Sequence, residues 1–306
     1  MKTGFVFSGQ GAQYMGMGKD FYDSYAAVRE TFEEASDAIG HDLVKICFED
    51  ENAIHFTPYT QPAILTVSHA IEKVALEEGL HSDMLAGLSL GEYTALVSGE
   101  ALSFSDAVKL VHTRGTLMEN AVPDGQGKMA AVIGLEASAV EELCEKVSKS
   151  HYVALANYNT PNQLVVSGSA AGVDRVADLA AKAEAKKVVE LKVSGPFHSL
   201  LLEPAAEEFA QHLKSVEFSA MKKPVYSNVT AQQYPDSSAI PDLLTKQMVS
   251  SVRFEQMIRQ MIADGAESFI EIGPGKTLKS FIKAIDRSVQ PKNIEKPQQL
   301  LKLLNR

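Results

Sequence analysis

Met84-Leu85-Ala86-Gly87-Leu88-Ser89-Leu90-Gly91 constrains the fold more than any other segment of the chain. Met84-Leu85-Ala86 reads as a short buried strand, and a helix follows from about Glu92 to Val97. The residues between must turn a strand into a helix almost at once. Glycine on both sides of Ser89 permits a tight, strained turn with close packing around it. Such a turn presents a serine hydroxyl at a strand end, and the helix N-terminus beyond it favours developing negative charge. Ser89 reads as a nucleophile; the alternative is a buried structural turn.

Strands and helices alternate around this turn. Gly4-Phe5-Val6-Phe7 is a strand that runs into the glycine-rich loop Ser8-Gly9-Gln10-Gly11-Ala12-Gln13. Helices are expected over Ser24 to Ile39, and from Pro62, placed in a first turn, toward Glu78. Ser103 to Asp106 offers a capped start for a helix through about Asn120. Pro123 to Gly127 is a linker candidate. Beyond it the order is strand (Met129 to Ile133), helix (Ser138 to Ser150), two strands (Tyr152 to Asn157, Gln163 to Ser167), helix (Ala171 to Ala185) and strand (Lys187 to Val193). That is the β-α-β-β-α-β pattern of ferredoxin-like units. A helix over Leu201 to Leu213, a strand over Val225 to Asn228, mostly helix over Ile240 to Ile262 and a strand over Ser268 to Ile272 complete the chain.

The expected fold is therefore α/β. A large α/β-hydrolase-like domain with a parallel sheet takes residues 1–125 and 196–306, and a small ferredoxin-like domain is inserted at 126–195. A length of 306 residues suits this arrangement, and 45% apolar residues suit a substantial core. The net charge of −10 opposes general nucleic-acid binding. No apolar run approaches the ~18 residues that span a bilayer, so no membrane partner is expected. The N-terminus turns polar too soon for a signal peptide, which makes a cytoplasmic location the expectation. Cys47 and Cys144 lack metal-ligand spacing and read as packing residues; no Cys/His cluster suggests a metal.

A serine nucleophile needs a base. Of eight histidines, seven sit in helical or polar surroundings. His198 differs: it follows a strand and the loop Ser194-Gly195-Pro196-Phe197, just before a helix, where α/β proteins place site residues. Arg114 shares a helix face with Ala107, Leu110, Val111, Leu117 and Met118. A buried guanidinium needs an anion. That anion is an internal carboxylate, unless the head reaches water or the arginine clamps a substrate carboxylate bidentately. The Gln10 loop can bring its backbone close to a ligand, and its N–H pairs naturally with that of Leu90 as an oxyanion hole. Two phosphate-loop readings fail: Gly9 to Tyr14 lacks the third glycine of the dinucleotide fingerprint. Gly273-Pro274-Gly275-Lys276-Thr277 has Ile270 where a Walker A loop needs its first glycine.

Together these residues resemble the malonyl-CoA:acyl carrier protein transacylase family and the related acyltransferase domains of fatty acid and polyketide synthases. The resemblance covers essentially the whole chain. Its motifs here are Phe7 to Gln13, Gly87 to Tyr93, Arg114, Asn157 to Gln163, Gly195 to His198, Gln247 before Val252-Arg253-Phe254, and Glu271 to Gly275. It implies a malonyl-serine intermediate on Ser89 with His198 as base, in ping-pong catalysis. It implies Arg114 on the malonyl carboxylate and an oxyanion hole from Gln10 and Leu90. Phe197, Gln247 and Asn157 come as substrate-binding residues, with a main-chain carbonyl near Gln247 orienting the imidazole. Phe197 resembles malonyl-selective members. No resident cofactor is implied; malonyl-CoA is substrate, and the partner acyl carrier protein brings its own phosphopantetheine. A monomer is expected, with carrier docking on Lys186 and Lys187, or on Lys276, Lys279 and Lys283.

Three positions depart from the family's habit. Ser8 and Ser251 stand where proline is common, and Leu88 where histidine is common. Something other than a histidine at 88 must therefore support the turn. Three other readings remain. A serine esterase or thioesterase would use an acid between nucleophile and histidine in chain order, but gives Arg114 no role. A carrier-docking module does not explain why Ser89, His198 and Arg114 occur together. An acyltransferase of a polyketide pathway differs from the main reading only in the pathway served.

Overall fold

The computed structural model describes residues 2–305. Among these described residues, eight strands form two four-stranded sheets. The first has the order β2 (Met84–Gly87), β1 (Lys2–Phe7), β7 (Ala266–Ile272), β8 (Lys292–Ile294), and every pairing is parallel. A parallel sheet covered on both faces needs strands that are apolar on both sides. Here Phe5, Phe7, Leu85, Ile270 and Ile272 enter one core, while Val6, Met84, Ala86 and Phe269 enter another on the opposite face.

The second sheet has the order β4 (Val153–Thr160), β5 (Gln163–Ser169), β3 (Gly127–Ile133), β6 (Lys187–Glu190), all antiparallel. Helices Ala137–Ser148 and Ala170–Lys182 cover one face, on Ala130, Val132, Leu164 and Val166. The alternate residues Met129, Ala131 and Val165 join the other core and line a cavity between the two sheets.

Three expected elements differ. The helix expected from Pro62 runs from Thr57 to Glu77, with Pro58 in its first turn and Pro62 inside it. A proline at 62 cannot donate to the carbonyl four residues back. That carbonyl, on Pro58, is paired instead with His112 Nδ1 at 2.9 Å, so the interior proline leaves no orphan there. Val225 to Asn228 is not a strand: it pairs with β2 only at Leu85, and then turns so that Asn228 reaches the Ser89 turn. The Ile240 to Ile262 stretch is two helices, Ile240–Val249 and Phe254–Ala263. Between them Val252 exchanges hydrogen bonds with Ala156 and Tyr158 of β4, joining this segment to the second sheet. Helices Thr277–Ile285 and Pro297–Leu303, and strand β8, add to the elements read from the sequence.

The turn at Ser89 is sterically closed. A Cβ on Gly91 would lie 2.1 Å from the Phe7 carbonyl oxygen, and one on Gly87 2.0 Å from the Gly91 carbonyl carbon. Ser89 itself sits at φ 52°, in the left-handed region. Gly91→Ala separates packing from propensity. Helix propensity favours alanine by about 1 kcal/mol, whereas overpacking against fixed backbone costs about 3 kcal/mol or more. Urea unfolding of Gly91→Ala is expected to show a clear loss of stability; an unchanged or raised midpoint would contradict the close approach.

Candidate active site

The site lies at the C-terminal edge of the parallel sheet, where open α/β folds place their ligands. β1 runs into the Gln10 loop, and β2 runs into the Ser89 turn. A cavity of about 230 Å³ opens there, bounded by Gln10, Ser89, Arg114, Asn157, Phe197 and His198 among others. The helix Phe104–Asn120 supplies Arg114, and the loop after β6 supplies Phe197 and His198.

Ser89 Oγ and His198 Nε2 are 2.7 Å apart. His198 Nδ1 is 2.7 Å from the main-chain oxygen of Gln247. That carbonyl lies in the last turn of helix Ile240–Val249, where carbonyls have no intrahelical donor. An accepting carbonyl requires the proton on Nδ1, which leaves Nε2 free to take the serine proton. The imidazole is 5% exposed, and burial pushes its pKa down to about 4, with the Arg114 charge acting in the same direction. The bond to Gln247 pulls the other way and does not prevail. His198 is thus a neutral base at neutral pH.

Arg114 is 1% exposed. Its Nη1 donates to Gln61 Oε1 at 2.8 Å, and its Nη2 donates to Gln247 Oε1 at 2.9 Å and to Ser89 Oγ at 3.1 Å. The guanidinium carbon is 5.4 Å from the centre of the Tyr93 ring. All three oxygens belong to neutral side chains, so among the described residues no carboxylate touches this arginine directly, and its head does not reach water. A guanidinium edge beside the serine suits a carboxylate carried by the acyl group.

Gln10 lines the cavity, and Leu90 follows Ser89 directly at the start of the next helix. Among the described residues neither main-chain N–H has an acceptor. The Gln10 side chain is fixed by Thr57 Oγ1 at 3.1 Å and by Gln61 Nε2 at 3.3 Å. Asn157 and Phe197 line the cavity. Gln247 does not; it lies behind the wall. Its amide is committed to Arg114, to the Ser89 carbonyl at 3.0 Å and to Glu92 at 2.5 Å, leaving nothing for a ligand. Its expected role as a substrate-binding residue is corrected to one of support.

Sequence reasoning missed Asn228 and Gln61. Asn228 braces the turn from both sides: Oδ1 accepts from the Ser89 N–H at 2.6 Å, and Nδ2 donates to the Gly87 carbonyl at 2.7 Å. This is the support that Leu88 cannot give. Ser251 Oγ donates to the Leu155 carbonyl at 2.6 Å, a bond that proline could not make. Of the lysines considered for docking, Lys279 is partly tied down by Asn293 Oδ1 at 3.2 Å, whereas Lys186, Lys187, Lys276 and Lys283 are exposed. Among the described residues no group of acids, histidines and cysteines could hold a metal ion, and no helix is long and apolar enough to cross a membrane.

A serine–histidine pair, a buried arginine beside it and free N–H groups at the edge of a parallel sheet define a serine acyl-transfer site. The chain belongs to the acyl transferase domain family, whose sequence model matches residues 4–300. It is 42% identical to the malonyl CoA-acyl carrier protein transacylase of Bacillus subtilis, over 97% of this chain and 94% of that one. The crystal structure of MCAT from Streptococcus pneumoniae matches with a TM-score of 0.95 at 47% identity, covering 99% of each chain. A malonyl-transacylase solved in complex with its type II PKS acyl-carrier protein matches with a TM-score of 0.97 at 35% identity, covering 100% of this chain and 99% of that one.

The pKa of His198 gives a direct test. Titrated by NMR, this ring is expected to hold its neutral form down to a midpoint near 4, rather than the ordinary ~6.5. Between those values the unfolded chain binds the extra proton, so stability falls as pH drops from ~6.5 toward 4. A midpoint near 6.5 would contradict the burial of the base.

Proposed function

We propose that this protein transfers a malonyl group from malonyl-CoA to the phosphopantetheine thiol of an acyl carrier protein, through a malonyl-serine on Ser89. Arg114 carries the reading. Beside a serine–histidine pair it calls for an acyl group with its own carboxylate, which a general esterase does not need. The named activities of the relatives and the acyl-carrier partner in the solved complex support it.

His198 Nε2 takes the Ser89 proton as Oγ attacks the thioester carbonyl. The Gln10 and Leu90 N–H groups hold the oxyanion. Coenzyme A leaves with a proton from His198. Acylation removes the Ser89 hydroxyl as a partner of Arg114 Nη2, and that N–H turns to the malonyl carboxylate. The carrier thiol then gives its proton to His198 and attacks the ester, and the bond to Ser89 Oγ breaks as Oγ takes that proton back from His198. The reaction draws on no resident cofactor. Phe197 limits room for a branch on the acyl group, a discrimination of ~1–3 kcal/mol per methyl.

The finer architecture belongs to the same proposal. Residues 1–125 and 196–306 form an α/β-hydrolase-like domain, and 126–195 a ferredoxin-like one; the strand order β4-β5-β3-β6 supports the second. The protein works as a cytoplasmic monomer that supplies fatty acid synthesis. Lys276 and Lys283 receive an acidic carrier beside the cavity, since Thr277, Leu278 and Phe281 of the same segment line it.

Removing the clamp tests the reading. Hydrogen bonds to a charged group contribute ~1.5–3 kcal/mol each. Arg114→Ala is therefore expected to lower kcat/KM for malonyl-CoA by about two to three orders of magnitude. Acetyl-CoA, which has no carboxylate, should lose far less. Equal losses with both thioesters in a transfer assay would count against Arg114 as the selector.

A further inference from the structure

Arg114 donates only to neutral oxygens, yet a carboxyl group stands one residue further off. Gln247 accepts from Arg114 on Oε1 and donates from Nε2 to Glu92 Oε2 at 2.5 Å. Glu92 is fully buried in the helix that follows Ser89. Its other partners also donate: the Tyr234 hydroxyl to Oε1 at 2.5 Å and the Asn228 main-chain N–H to Oε2 at 3.2 Å. The Gln247 amide nitrogen and the Asn228 N–H can only donate, and so favour the carboxylate form, while the Tyr234 hydroxyl can serve either form. Burial opposes ionisation and pushes its pKa up to about 7.

We propose that Glu92 is a positioning residue that supplies the counter-charge of Arg114 through the Gln247 amide, so that the guanidinium keeps an edge open for the substrate carboxylate. A carboxylate placed directly on Arg114 would take that edge. The Gln247 amide stands one way only. Turned over, it would set donor against donor at Arg114 and acceptor against acceptor at Glu92. The same glutamine holds His198 through its main-chain oxygen, and Asn228 holds the Ser89 N–H. One carboxylate thus joins the supports of nucleophile, base and clamp without touching substrate. This inference rests on the malonyl-transfer reading.

Glu92→Gln keeps the size and removes the charge. The new amide oxygen can serve Gln247 and Asn228, while its NH2 turns to the Tyr234 hydroxyl, which can accept. Freed of its counter-charge, Arg114 draws the malonyl carboxylate more strongly. The apparent KM for malonyl-CoA is expected to fall by about threefold or more, while that for acetyl-CoA stays within about twofold. No shift, or equal shifts with both thioesters, would overturn the proposal and leave Glu92 a packing role. Should Glu92→Gln fail to fold, Gln247→Glu asks the converse question by placing a carboxylate on Arg114. The KM for malonyl-CoA should then rise by about tenfold or more, with acetyl-CoA less affected; equal effects would again overturn it. Failure of the wild type to take up a malonyl group at all would instead sink the underlying reading.

Discussion

A guanidinium held at 1% exposure with only neutral hydrogen-bond partners is the constraint on which the rest of this site depends. Burying an ion costs several kcal/mol even after relaxation. Nearby side chains are arranged to meet that cost without neutralising the charge where it is needed. Gln61 and Gln247 turn their amide oxygens to Arg114 and their nitrogens outward, to Gln10 and Glu92. The side chain that steadies the Gln10 loop is therefore tied to the same arginine. The positive charge also helps keep His198 neutral, so the clamp and the base are coupled electrostatically.

The second constraint is steric. Three glycines let the Ser89 turn lie against the end of β1, with a Cβ at Gly9, Gly87 or Gly91 meeting backbone within 2.3 Å. The turn is thus locked to the loop that carries Gln10. Asn228 closes it from the other side. A strained φ at Ser89 persists because its surroundings over-determine it. His198 has a positive φ as well, at 57°, in a loop pinned by the Ser199 hydroxyl on the Pro196 carbonyl at 2.6 Å.

Ser89, His198 and Arg114 were legible because each carries a local signal: a strand–glycine–serine–helix turn, a strand-to-helix loop, a charge on an apolar face. The order of strands and helices was legible for the same reason, since apolar periodicity is local. Asn228, Gln61 and the role of Glu92 carry no such signal. The Asn228 amide acts on a residue 139 positions away, and only the tertiary fold makes that contact. Val225 to Asn228 has strand-like composition, but a single bridge to Leu85 is all its path permits before it turns to the nucleophile. Pro62 misled because proline is commonest in a first turn. Here His112, from another helix, satisfies the carbonyl that the proline leaves free.

The central claim is that Ser89 carries a malonyl group between two thiols. Intact-protein mass spectrometry after brief exposure to malonyl-CoA tests it most directly, with Ser89→Ala beside the wild type. The account predicts one malonyl adduct on the wild type, none on the variant, and loss of the adduct when holo acyl carrier protein is added, with the malonyl group recovered on the carrier. Turnover of malonyl-CoA to free acid with nothing delivered to the carrier would contradict it and mark the protein as a thioesterase.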